Sequence, residues 1–216
     1  MGTVKSSPGR IISSEQSNRT KAILVQRSAS SGLSRFVAGL ESVPKRALSL
    51  PVRPEDAKIA AFVELWGESE ALRSVIVGWP TPVSAWLVDE FLPARAARTW
   101  PVGETSPGVR LVSSVHRRSS LDRAAFADYW RTRHTEIAMS YTIPVWHYSQ
   151  NVVVEALAPD DGEDGFAVLH FRSREELVAR WAQFPKEAQR GAEDAAKFMD
   201  TTHGWSVEMT ERLWED

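Results

Sequence analysis

In the second half of the chain, short apolar runs alternate with longer segments in which apolar residues recur every three or four positions. The short runs predict β-strands and the longer segments predict amphipathic helices. Strands are predicted at residues 109–115, 145–154, 166–171 and 205–213, and helices at residues 126–134, 174–184 and 186–199. Helix caps are predicted within residues 119–122 and at Ser173. The resulting order, β-α-β-β-α-β, is that of a ferredoxin-like unit.

The first half repeats this order with a weaker pattern. Strands are predicted at residues 21–27 and 57–66, and helices at residues 33–40, from residue 69 and at 83–92. The prolines at positions 44, 51 and 54 predict an irregular stretch. The segment that begins at Phe62 aligns without a gap with the segment that begins at Phe166, so that Phe, Leu and the capping Ser coincide. This agreement predicts an internal duplication.

The chain is accordingly divided into four parts. They are a disordered leader (1–20), a degenerate ferredoxin-like half (21–100), a linker (101–108) and an intact ferredoxin-like half (109–216). Each antiparallel sheet has helices on one face only, and its other face needs a cover. We therefore predict an α+β fold in which the two tandem halves form a pseudo-dimeric α/β barrel. A small-molecule chamber is expected in the lumen between the sheets.

Composition and charge argue against several classes of function. The formal net charge is −2, and Lys and Arg are scattered among acidic residues, which argues against a nucleic-acid partner. The absence of cysteine excludes thiolate chemistry, and no apolar run is long enough to cross a membrane. We expect a cytoplasmic protein, a monomer or a homodimer, whose partner is a small molecule.

The intact half carries all five histidines, and His134 is the leading candidate for a general acid or base. An imidazole titrates near neutral pH and shares one helix face here with Phe126 and Trp130. Tyr148 is a candidate to donate a proton or to hold an oxyanion. On its strand, the set with Tyr148 and the set with Asn151 point to opposite faces, and the sequence leaves open which set faces the lumen.

Strand alternation predicts which polar groups line the lumen. It places Gln26, Glu64 and Trp66 inward in the first half, and His116 and His170 inward in the second. A buried charged Glu64 needs a partner or a raised pKa. Trp66, Trp146 and Trp205 are expected to form aromatic walls, which suit a flat aromatic ligand.

The motif Phe126-x-x-x-Trp130-x-x-x-His134, followed by Tyr148-Ser149-Gln150-Asn151, resembles the EthD family of the dimeric α/β-barrel superfamily. The resemblance covers roughly residues 108–213, and the first half lacks the Trp-x-x-x-His signature. It implies a small barrel, usually a homodimer. It also implies cofactor-free chemistry of the dehydratase, cyclase or lyase type on aromatic or polyketide compounds.

The preferred hypothesis is a cofactor-free lyase, dehydratase or isomerase that works by acid–base catalysis on an aromatic or polyketide-like molecule held between the sheets. The expected catalytic residues are His134, Tyr148 and His116. The expected substrate-binding residues are Trp130, Trp146, Asn151, His170, Glu64, Trp66 and Trp205. No short metal-ligand motif is present, so no metal or cofactor is expected. Two alternatives stay open: a non-catalytic binding protein of the same fold, and a haem- or metal-dependent oxidative enzyme.

Overall fold

A computed structural model describes residues 20–159 and 162–215. The strands are β1 (Thr20–Gln26), β2 (Lys45–Pro51), β3 (Ala61–Gly67), β4 (Ser84–Ala94), β5 (Val109–Val115), β6 (His147–Ala156), β7 (Gly165–Phe171) and β8 (Ser206–Glu215). The helices are α1 (Leu33–Ala38), α2 (Ser69–Val77), α3 (Arg123–Tyr129), α4 (Thr135–Met139), α5 (Arg174–Ala182) and α6 (Pro185–Phe198). A π-helical turn, Trp130–His134, joins α3 to α4, and a 3₁₀ turn, Pro54–Asp56, precedes β3. Apart from Thr20, the predicted leader lies outside the described residues.

The eight strands close into one antiparallel barrel in the order β1-β3-β2-β8-β5-β7-β6-β4. Strands β1 to β4 form one ferredoxin-like half and strands β5 to β8 form the other. The halves meet where β2 pairs with β8 and where β4 pairs with β6. The predicted fold class is therefore confirmed. Closure leaves no open sheet edge among these eight strands, and the described helices lie on the outside of the barrel.

Two secondary-structure predictions in the first half are wrong. Residues 83–92 were expected to be helical, but residues from Ser84 onward form β4. In this strand Trp86 faces the lumen core and Leu87 faces the helices, so both faces are apolar and the strand period is hidden. The irregular stretch contains β2, because Pro44 precedes the strand and Pro51 is its last residue. Neither proline therefore interrupts the strand.

The helix caps of the second half agree with the sequence. Asp122 Oδ1 accepts a hydrogen bond from Ala125 N at 2.8 Å, at the start of α3. Ser173 Oγ accepts one from Glu176 N at 3.2 Å, at the start of α5. Both caps satisfy an N–H group that has no partner within its helix. No helix among the described residues has both the length and the apolar character needed to span a membrane.

The lumen has two chemically different ends. One end, which we call the apolar end, is packed with side chains from both halves. They include Ile23, Val25, Phe62, Trp86, Val112, Phe166, Val168, Trp205, Val207 and Met209. Because Phe62, Trp86 and Phe166 are completely buried against one another, the expected open chamber is wrong for this end. The other end, the polar end, carries paired charges and is described below.

Candidate acid–base site

The helix layer of the second half is built around Trp130. This residue belongs to the π-helical turn, and its indole packs against Phe126 and Phe198 in the space between α3, α6 and the sheet. All three side chains are almost completely buried. Gly165 leaves the space for the indole, because a Cβ at that position would lie 2.7 Å from Trp130 Cζ3. The aromatic stripe predicted from the sequence is thus a packing surface that fixes the turn.

The main-chain carbonyl of Trp130 accepts several hydrogen bonds in the π-helical turn, one of them from the backbone N–H of Thr135. Thr135 Oγ1 donates to this oxygen at 3.0 Å, and Gln150 Nε2 donates to it at 3.3 Å. Gln150 Nε2 also lies 2.8 Å from Thr135 Oγ1. Such turns are inserted in helices where a local distortion positions a group, frequently at functional sites. Here the distortion ends at His134.

His134 forms a buried dyad with a residue far away in sequence. Its Nδ1 lies 2.9 Å from Oδ2 of Asp194 on α6. Asp194 Oδ1 accepts a hydrogen bond from Tyr129 at 2.7 Å, and Lys197 lies 3.4 Å from the same oxygen. The His134 side chain is 18% exposed, whereas that of Asp194 is 3% exposed. Within the described residues His134 Nε2 has no hydrogen-bond partner.

The electrostatics of this dyad favour a neutral imidazole beside a charged carboxylate. Burial lowers the pKa of His134, while Asp194 opposes this shift. Burial would raise the pKa of Asp194, but hydrogen bonds from Tyr129 and His134 outweigh it and hold that pKa low. Burial and the bond to Asp194 raise the pKa of Tyr129 to about 12, so its hydroxyl stays a donor. His134 therefore carries its hydrogen on Nδ1 and donates it in a hydrogen bond to Asp194, and the lone pair is on Nε2.

Tyr148 lies on the helix-facing side of β6, beneath Trp130. Its oxygen accepts hydrogen bonds from Trp130 Nε1 at 3.2 Å and from Gln150 Nε2 at 3.0 Å. Burial raises the pKa of Tyr148 against the effect of these two bonds. Gln150 Oε1 is buried and has no hydrogen-bond partner among the described residues. The set of β6 residues that includes Tyr148 therefore faces the helices, and the set that includes Asn151 faces the lumen.

The lumen-facing side of β6 carries His147, Ser149 and Asn151. Asn151 Oδ1 accepts a hydrogen bond from Lys21 Nζ at 2.7 Å, and Lys21 also lies 2.9 Å from Glu64 Oε1. These contacts belong to the polar end of the barrel. Its charged and amide side chains come from both halves and are Lys21, Glu64, Glu90, Arg110, Asn151 and Glu211.

Glu64 is the centre of this polar end. Its second oxygen lies 2.6 Å from Arg110 Nη2, so each oxygen has its own cation. Burial would raise the pKa of Glu64, but Arg110 and Lys21 outweigh it and lower that pKa to about 2. Glu64 and Trp66 face the lumen as predicted, and the partners of Glu64 are two cations. Gln26 lies on the other side of its strand, where its amide bonds to Ser28 O and Ser30 Oγ, so its predicted inward placement is wrong.

The residues singled out from the sequence fall in three places. The helix layer holds His134, Trp130 and Tyr148. The polar end holds Glu64, Trp66, Asn151 and His170, with Trp146 packed on His170 at a ring distance of 5.2 Å. The opposite end of the barrel holds Trp205, in the apolar core, and His116, whose Nδ1 lies 3.0 Å from Gly162 O. The structure thus separates the predicted site into two polar centres and leaves Trp205 and His116 apart from both.

Several residues of these two polar centres were not predicted from the sequence. Asp194 lies sixty positions after His134 on a helix whose charged residues look solvated, so no local pattern links the two. The sequence does contain a weak indication that Arg110 faces the lumen, because the alternation of side chains places Arg110 on the same face of β5 as Val112 and Ser114. Among the described residues, no group of three or more His, Asp or Glu side chains is arranged to hold a metal ion.

Comparison with known proteins gives one neighbour that supports the architecture. An anthrone oxidase-like protein of known structure superposes with a TM-score of 0.65 at 8% identity, covering 93% of this chain and 95% of that one. Chlorite dismutase from Candidatus Nitrospira defluvii, in complex with imidazole, gives a TM-score of 0.48 at 12% identity, covering 89% and 90%. The fold is that of a dimeric α/β barrel completed within one chain. No family model matches the sequence, and no curated protein matches it. Membership in the EthD family stays a prediction.

Proposed function

We propose that the protein is a cofactor-independent enzyme of the lyase, dehydratase or isomerase type, in which His134 acts as the general base. The observation that supports this most is the buried carboxylate of Asp194 at 2.9 Å from His134 Nδ1, with Nε2 free of hydrogen bonds to the described residues. A carboxylate in this position fixes the tautomer and stabilises the imidazolium that forms when Nε2 accepts a proton.

The proposed reaction begins with proton removal from a carbon next to a carbonyl group. Nε2 of His134 takes the proton, and the substrate becomes an enolate. Return of this proton to another carbon gives an isomer, and its transfer to a leaving hydroxyl group gives loss of water. Positioned proton transfer of this kind contributes about 10²–10⁴ to the rate.

The Tyr148–Gln150 pair is proposed to hold a hydroxyl group of the substrate. The Tyr148 oxygen already accepts two hydrogen bonds, and Gln150 Oε1 is buried without a partner among the described residues. A hydroxyl group accepts from a Tyr hydroxyl and donates to an amide oxygen, so it would satisfy both groups. Because Trp130 is 1% exposed, entry to this pair requires movement of the π-helical turn.

The aromatic surroundings support an aromatic or polyketide-like substrate. Phe198 lies with its ring centre 4.9 Å from that of His134, and Tyr129 stacks on Phe198 at 5.5 Å. Flat aromatic rings pack favourably in offset contact with such side chains. Phe198 is buried beneath these two residues, whereas Tyr129 and His134 are both partly exposed, so Tyr129 is the aromatic side chain that is accessible beside the dyad.

The test is a turnover screen with hydroxylated aromatic and polyketide-type ketones in D₂O, read by mass spectrometry for deuterium uptake or loss of water. Wild type is compared with His134→Gln and with a control, His203→Gln, which changes a histidine that is 71% exposed. We expect turnover by wild type and the control, and a loss of at least about 100-fold in His134→Gln. A folded and fully active His134→Gln variant would overturn the assignment.

The same screen separates the alternatives. Saturable binding without turnover by any compound would support a non-catalytic binding protein. An absorbance spectrum with a haem band, or stoichiometric metal in the purified protein, would instead support an oxidative enzyme.

A further inference from the structure

The polar end of the barrel is crossed by the segment that joins the two halves. We call residues 95–108 the strap. It follows the end of β8, where Ser106 N donates to Glu211 O and Ser106 Oγ donates to Glu211 Oε2, both at 2.7 Å. Its two ends bond to histidines: Ala96 N donates to His147 Nδ1 at 3.3 Å, and His170 Nε2 donates to Pro107 O at 2.8 Å.

These two main-chain bonds fix complementary tautomers. A backbone N–H can only donate, so His147 accepts on Nδ1 and its hydrogen is on Nε2. A carbonyl oxygen can only accept, so His170 carries its hydrogen on Nε2 and has a lone pair on Nδ1. Burial, then Arg110, lowers the pKa of His147 to about 4 and also lowers that of His170, so both rings are neutral at pH 7.

The two imidazoles are neighbours. His147 and His170 are directly opposed across β6 and β7, which puts their Cβ atoms about 5 Å apart on the same face of the sheet. Neither His147 Nε2 nor His170 Nδ1 bonds to any described residue. A hydrogen-bond donor and an acceptor therefore lie on neighbouring imidazoles at the polar end, where His170 is buried and His147 is partly exposed.

Indole rings flank this donor–acceptor pair. Trp146 contacts His170, and Trp100 of the strap lies with its ring centre 5.4 Å from that of Trp146. Both tryptophans are half-buried. Trp100 Nε1 is buried and has no hydrogen-bond partner in the described part of the chain. A planar ring could thus stack on indole while its polar edge meets the imidazoles.

Charged groups of both signs surround the two imidazoles. Lys21 and Arg110 face three carboxylates, those of Glu64, Glu90 and Glu211, and each cation is already paired. This group therefore carries one excess negative charge, whereas Arg98 and Arg172 lie over the rings of Trp100 and Trp146 at 5.9 and 5.8 Å and add two positive charges beside it. The groups that meet the ligand are the two imidazoles, one donor and one acceptor, and they match a neutral ligand that offers one acceptor and one donor.

We propose that the mouth of the polar end, under the strap, is a binding site for a neutral planar ring compound in which a carbonyl lies beside an N–H or O–H group. The carbonyl accepts from His147 Nε2–H, and the neighbouring donor bonds to His170 Nδ1. The ring lies against Trp146 and Trp100. This site is separate from the His134–Asp194 dyad, which is on the helix side of the sheet.

The test uses 2-quinolone, a lactam with N–H beside C=O, titrated into the full-length protein by isothermal titration calorimetry. N-methyl-2-quinolone is the matched ligand, because it keeps the shape and carbonyl but lacks the donor. We expect one saturable site for 2-quinolone, and binding weaker by about tenfold for the N-methyl compound, the loss of about one hydrogen bond.

Variants locate the site. His147→Phe and Trp100→Phe are each expected to weaken 2-quinolone binding about tenfold, whereas His203→Gln, at the far end, leaves it unchanged. His134→Gln is also expected to bind normally, which keeps this test independent of the proposed catalysis. Trp100→Phe leaves both strap hydrogen bonds in place, so it reports on binding even if His147→Phe unfolds. Absence of saturable binding, equal affinity in Trp100→Phe, or loss of binding in His134→Gln overturns the proposal.

Discussion

Replacing Glu64 with Gln tests whether the ion network at the polar end joins the two halves. Glu64 lies on β3 of the first half and its side chain is 2% exposed. One oxygen accepts from Lys21 at 2.9 Å and the other from Arg110, on β5 of the second half, at 2.6 Å. The amide removes the negative charge, and its NH₂ group must face one of the two cations.

The size of the effect follows from two arguments. Removal of one partner from a buried ion pair destabilises proteins by about 3–5 kcal/mol. Lowering the pKa of Glu64 from 4.5 to about 2 corresponds to roughly 3 kcal/mol in favour of the folded, ionised state. Lys21 keeps Glu90, and Arg110 keeps Glu211, so the lower value applies. For a domain of this size it lowers Tm by about 6–12 °C.

The assay is urea unfolding followed by far-UV circular dichroism at pH 7, with thermal unfolding alongside. The control is Glu155→Gln, which breaks an exposed pair with Arg73 and should change little. The contribution of Glu64 is fully present above pH 4.5 and is lost as the pH falls towards 2, so wild type and Glu64→Gln should converge in acid. If Glu64→Gln is no less stable than the control at pH 7, the network does not hold the halves together.

Three further outcomes follow from the same structure. Because the pKa of His147 is lowered to about 4, the unfolded state binds more protons between about pH 6.5 and 4, and stability should fall as the pH drops through that window. Urea unfolding at stepped pH should show a flatter slope in His147→Phe, and an unchanged slope would contradict this. Gly165→Ala places a methyl group 2.7 Å from Trp130 and should lower the free energy of unfolding by about 1–3 kcal/mol. The control is Gly78→Ala, whose methyl group has no neighbour closer than 3.5 Å. Equal unfolding midpoints of the two variants would refute the packing argument. Ser173→Ala removes the α5 cap and should cost about 1 kcal/mol by the same assay, with Ser119→Ala as the matched control.

The second half could be predicted from sequence because its local signals agree. Asp122 and Ser173 mark helix starts, and apolar runs of strand length lie between them. The first half was harder, because β4 is apolar on both faces and Pro51 is tolerated as the last residue of β2. In both errors the barrel environment outweighs the local pattern.

The candidate sites were harder to predict than the fold, because their pairs are distant in sequence. The bonds from His134 to Asp194 and from Glu64 to Arg110 depend on tertiary packing alone. The π-helical turn at Trp130 could not be predicted either, because the spacing of apolar residues is interpreted on the assumption of a regular α-helix. The alternation of side chains along a strand did predict that Glu64 faces the lumen, because this alternation does not depend on which residues Glu64 contacts.

The most direct test of the central claim is the tautomer and pKa of His134, measured by ¹⁵N side-chain NMR in wild type and Asp194→Ala and assigned with His134→Gln. The account predicts a neutral ring at pH 7 with its hydrogen on Nδ1. It also predicts a lower pKa in Asp194→Ala, because Asp194 raises the pKa of His134 against the effect of burial. A hydrogen on Nε2, or a pKa that does not change when Asp194 is removed, would contradict the assignment of His134 as a base oriented by Asp194.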